Sequence, residues 1–64
     1  MYRIKHKIRF KENHYTIANK LGIAPESLSR IINGKTTTKK TTAYMITKFY
    51  NKNAEISDIF EKII

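Results

Sequence analysis

"GIAPESLSRIINGK", residues 22–35, decides how the rest of the chain is read. Gly22 supplies the left-handed conformation that stops a helix, and Pro25 suits the first turn of the next one. Leu28, Ile31 and Ile32 then recur at helical spacing on one side, with Glu26, Ser29 and Arg30 on the other. Asn33-Gly34 closes this helix, because glycine accepts the positive φ at which helices end. Upstream, Ile17, Ala18 and Leu21 form the apolar stripe of a preceding helix. The spacing thus predicts one helix over about 14–21 and a second over about 25–33. The few residues between them do not allow two such short helices to lie antiparallel, so they must cross steeply.

Size and charge bound the rest. Sixty-four residues make one domain, near the lower limit for folding without a metal or disulfide. The absence of cysteine excludes disulfides and thiolate metal sites and fits a reducing cytoplasm. No apolar run approaches the roughly 20 residues of a membrane span, and "MYRIKHKIRF" is basic without the apolar stretch of an export signal. Residues 1–50 carry eleven basic and two acidic side chains, whereas residues 51–64 carry two and three. A basic body implies an anionic partner, most often nucleic acid. An anionic membrane surface would require a basic amphipathic helix with a broad apolar face, which is not evident. His6 and His14, without cysteines or clustered carboxylates, fall short of any usual metal-ligand set. No nucleophile–base pair or glycine-rich loop suggests catalysis, so the expectation is a non-enzyme without cofactor.

Ala43, Ile46 and Tyr50 mark a third stripe, with Phe49 beside it. Ser57 has the character of an N-cap for a last helix, Asp58 being favourable near its positive end. Ile59, Phe60 and Ile63 supply that helix's apolar side, and the aromatic residues read as core. The first eleven residues alternate apolar and basic, a strand pattern, yet Ile4 and Ile8 are also spaced for a helix. A strand needs a partner, and no second alternating segment is visible. The reading therefore takes a helix there.

Two short helices crossing at a glycine turn, with Ile23 to plug the angle, make a helix-turn-helix whose second helix projects its N-terminal outer face. At this point "YTIANKLGIAPESLSRIINGKTTT" resembles the Cro and lambda-type repressor family. The residues that carry the resemblance are Ala18, Gly22, Leu28, Asn33, Gly34 and Lys35. "ITKFYNKNAEISDIFEKI" is similar to the family's last two helices. The resemblance implies an all-α, compact five-helix bundle, lambda-repressor-like, with DNA as partner. It implies that Ala24, Pro25, Glu26, Ser29 and Arg30 meet base edges, or face a protein partner. It also implies phosphate contacts by His14, Asn33 and Lys35. Two departures stand out: Ala24 replaces the usual Ser or Thr cap, and Glu12 stands where an apolar residue is common.

Each residue has a second reading. Arg30 can pair with guanine, or stay solvated, or be held by Glu26 one turn earlier. Glu26 can accept from cytosine N4, or simply favour the helix dipole. "KTTTKKTT" (35–42) offers Lys35, Lys39 and Lys40 to phosphate, or is a polar loop. The C-terminal Ile63 and Ile64 are candidates for the surface of a weak homodimer, or for a frayed end. With no second domain for sensing or self-cleavage, the expectation is a Cro-like transcriptional repressor in a bacterial or phage-infected cell, acting in the cytoplasm. The alternative is an antirepressor of a lysogeny switch, which binds a phage repressor protein and blocks its DNA surface.

Overall fold

In the computed structural model, which describes residues 1–63, the chain builds its first helix from a cap that the sequence carries openly. The Asn13 side chain accepts the Thr16 backbone N–H at 2.9 Å and the Thr16 hydroxyl at 3.0 Å, starting α1, His14–Leu21. Ile17 and Ala18 turn inward and are buried. The helix stops at Gly22, with φ 75°, where the Gly22 N–H donates to Asn19 O and the Ile23 N–H to Ala18 O. These two bonds form a Schellman motif, which satisfies carbonyls that a helix end leaves open.

The second helix, α2, spans Pro25–Ile32 and buries Leu28, Ile31 and Ile32. It begins without a side-chain cap, since Ala24 stands in that position. It ends one residue earlier than the expected 25–33, because Asn33 is its C-cap. Gly34 follows at φ 75°, and a second Schellman pair runs from Gly34 N–H to Ile31 O and from Lys35 N–H to Arg30 O.

Helix α3, Lys40–Tyr50, buries Ala43, Ile46 and Thr47. Thr47 is a buried polar residue, and its hydroxyl donates to the Ala43 carbonyl at 2.8 Å. Helix α4 is a single turn, Ile56–Ile59. Ser57 is not its N-cap. Asp58 reaches back to accept the Glu55 N–H at 2.9 Å, so the helix starts behind Glu55 and takes Ser57 into its first turn.

The expected all-α five-helix bundle is corrected, among the described residues, to four helices and a two-stranded antiparallel sheet. Strand β1, Tyr2–Ile4, pairs with β2, Phe60–Lys62, in the register Tyr2↔Lys62, Arg3↔Glu61, Ile4↔Phe60. Thr38 adds a bridge on the other side of β1, exchanging both backbone bonds with Tyr2 at 2.7 and 2.8 Å. The alternation of residues 1–11 was a true strand signal, used only at its start. Its partner is three residues long and lies inside a segment whose Ile59, Phe60 and Ile63 also fit helical spacing. The extended backbone buries Phe60 but leaves Ile63 41% exposed, so Ile63 does not join the core.

The core unites Ile4 and Ile8 from the N-terminal segment with Ile17, Leu28, Ile46, Ile59 and Phe60. The aromatic residues do not form it as expected. Phe60 is buried, Tyr2 and Phe10 pack against the core's edge, and Tyr15, Tyr44, Phe49 and Tyr50 are exposed. Ile4 and Ile8 belong to the core, whereas the α3 aromatics lie outside it.

Candidate nucleic-acid interface

The burial of Leu28, Ile31 and Ile32 determines what α2 shows to solvent. Residues 26, 29, 30 and 33 recur at helical spacing on the opposite side. Glu26, Arg30 and Asn33 are exposed there, with Ser29 and Pro25 half-buried. Ser27, which the sequence reading passed over, is also exposed; its position outside the Leu28 stripe was the available signal. With no side-chain cap at Ala24, the first-turn N–H groups of α2 lack an acceptor from that side chain. Ala24 and Glu26 are exposed, so this positive end of the helix dipole lies at the surface.

Arg30 makes no ion pair with Glu26. Among the described residues the ion pair formed is Lys20–Glu12, at 3.0 Å. That pair also accounts for the polar Glu12 at an expected apolar position, although an exposed pair of this kind is worth little. Asn33 donates a long hydrogen bond, 3.3 Å, to the Ser29 hydroxyl. Arg30, Asn33 and Lys35 are thus brought together at the end of α2, where the Schellman turn fixes the backbone of Lys35 against Arg30.

His14 is the exposed first residue of α1, and its ring meets Phe10 edge-on at 6.0 Å between centroids. Lys39 is exposed at the N-cap position of α3. Lys40 belongs to a different setting: it lines a groove with Tyr44, Lys48 and Lys62. Ile63 is exposed with its N–H bonded to Met1 O, whereas Ile64 lies outside the described residues.

The structure adds three residues that the sequence reading did not single out. Tyr15, Thr16 and Asn19, on the outer side of α1, share a concavity with Ile23 and Pro25. Their position opposite Ile17 and Ala18 on the helix was the signal that could have found them. No helix is long and apolar enough to cross a membrane among the described residues.

A family model described as helix-turn-helix matches residues 7–56. The match takes in α1, the turn, α2 and α3, and leaves the two strands outside it. Neither the curated proteins nor the solved structures include a match.

Proposed function

The chain belongs to the helix-turn-helix family, whose members are DNA-binding transcription regulators, and we propose that it is a sequence-specific, Cro-like repressor that occupies a promoter. Helix α2 enters the major groove by its N-terminal half, placing Ala24, Pro25, Glu26, Ser29 and Arg30 against base edges. Arg30 donates its guanidinium fork to guanine O6 and N7. His14, Asn33, Lys35 and Lys39 take phosphates on either flank, and Lys40 reaches one further out. The protein needs no cofactor, catalyses no reaction and works in the cytoplasm.

One observation carries this reading: an exposed Arg30 that makes no ion pair among the described residues, on the helix face opposite the buried Leu28, Ile31 and Ile32. A guanidinium already held by Glu26 would have to break that pair to reach a base. Here nothing must be broken. The surplus of eleven basic over two acidic side chains in residues 1–50 supplies the non-specific attraction that brings the helix to the duplex.

A second reading draws on Glu26, an exposed carboxylate with no cationic partner among the described residues, beside the apolar Ala24-Pro25. That combination suits an antirepressor that covers the DNA surface of a repressor protein. Titration of duplex DNA over a series of salt concentrations separates the two. The three lysine contacts, Lys35, Lys39 and Lys40, give a log–log slope of affinity against salt of about −3. No binding at low salt, or a slope of zero, favours the antirepressor.

A further inference from the structure

The flank of α2 formed by Lys35 and Lys39 is cationic, but the flank formed by α1 is not. Lys20, the one lysine of α1, is committed elsewhere: its Nζ donates to both Glu12 carboxylate oxygens at 3.0 and 3.1 Å and lies over the Phe49 ring. What α1 turns toward α2 is the concavity of Tyr15, Thr16, Asn19, Ile23 and Pro25, every member of which is uncharged. It is continuous with the proposed reading face, because Pro25 is both its wall and the first residue of α2.

Within that concavity the donors can be assigned. The Thr16 hydroxyl is spent on Asn13 Oδ1 at 3.0 Å. The Tyr15 hydroxyl and the Asn19 carboxamide have no partner among the described residues, and both residues are exposed, Tyr15 at 75%. They lie one helical turn apart and therefore project from the same side of α1.

We propose that Tyr15 and Asn19 form a neutral phosphate clip, donating two hydrogen bonds to the DNA backbone where it passes α1, as the uncharged counterpart of the lysine clamp beyond α2. The clip rests on the DNA-binding reading of α2. Tyrosine and asparagine side chains are regular donors to phosphate oxygens, and such contacts fix the register of a protein on its duplex. Pro25, lacking an N–H, offers no donor of its own at that wall, so the phosphate there depends on α1. A neutral donor displaces no counterion, so the clip adds affinity without adding salt dependence. That separates it from every lysine contact.

The experiment titrates wild type, Tyr15→Phe, Asn19→Ala and Lys35→Ala against two duplexes over a series of salt concentrations. One duplex is random in sequence and the other is selected by the wild type from a random pool. The expected result is a roughly tenfold loss of affinity for Tyr15→Phe and for Asn19→Ala at every salt concentration, with the slope of wild type. Lys35→Ala instead flattens the slope by about 0.9. Melting temperatures equal to wild type establish that Tyr15→Phe and Asn19→Ala fold. Wild-type affinity in both variants, with the wild type binding DNA, overturns the clip and leaves the function of α2 standing. A flattened slope in either variant overturns its neutral character. A wild type that binds neither duplex at low salt overturns the DNA reading itself, and the clip with it.

Discussion

Gly34 allows a magnitude to be worked from the backbone alone. It sits at φ 75°, and a Cβ built on it would meet just the Ile4 Cγ2 methyl, at 3.7 Å, an ordinary contact. Space therefore does not forbid a side chain there. The cost of Gly34→Ala is conformational, about 1–2 kcal/mol for an L-residue in the left-handed region. In a domain of this size each 1 kcal/mol lowers the melting temperature by about 4–8 °C, so the variant should melt roughly 4–16 °C below wild type. Gly22, also at φ 75° but with nothing within 4 Å of its Cβ position, provides the internal control. Gly22→Ala should cost the same. Gly34→Asn should cost less, because asparagine enters the left-handed region more readily, and Gly34→Val more, because a branched Cβ resists it. Thermal unfolding followed by circular dichroism measures all four. An unchanged melting temperature for Gly34→Ala refutes the reasoning, and so does a penalty far above that of Gly22→Ala, which would mean a collision with Ile4. The consequence reaches the site, since this turn bonds Lys35 N–H to Arg30 O at 2.9 Å.

Phe60→Ala tests the sheet that joins the two ends of the chain: Phe60 is buried to 1% exposure, and its loss should cost about 3–5 kcal/mol, read by urea unfolding. A cost below ~1 kcal/mol would mean that the strand pair is ornamental to the fold. Replacing Ile63 and Ile64 together by serine should lower DNA affinity if a weak homodimer forms there, since two recognition helices read more bases than one. Sedimentation at high concentration should show the association lost, and a strictly monomeric wild type would remove this surface.

What could be read from the sequence was local. Gly22, Pro25 and Gly34 punctuate their helices through their own φ preferences, so α1 and α2 are visible without tertiary information. The Leu28, Ile31 and Ile32 stripe determines the outward face by exclusion, which is why Glu26, Ser29 and Arg30 were legible as a surface. The sheet was not legible, because Arg3 and Glu61 lie at opposite ends of the chain and three residues carry too little pattern to announce a strand. The start of α4 was misplaced because Ser57 is a good cap in isolation, and the Glu55–Asp58 bond competes with it. Lys48 donates to the Ala54 carbonyl at 2.7 Å, tying down the loop after α3. Nothing in its spacing distinguishes it from a solvated lysine. Likewise the grouping of Lys40 with Tyr44 and Lys48 depends on how α3 is turned, not on the "KTTTKKTT" run itself. Tyr15 and Asn19, four residues apart on α1, follow from the helical period alone.

The central claim is that α2 reads DNA and that Arg30 leads the reading. Its most direct test measures the affinity of wild type, Arg30→Ala and Lys35→Ala for the preferred duplex and for a random one at a single salt concentration. Arg30→Ala should lose about 1–3 kcal/mol on the preferred duplex and much less on the random one, whereas Lys35→Ala should weaken both alike. A wild-type sequence preference that survives in Arg30→Ala would contradict the account.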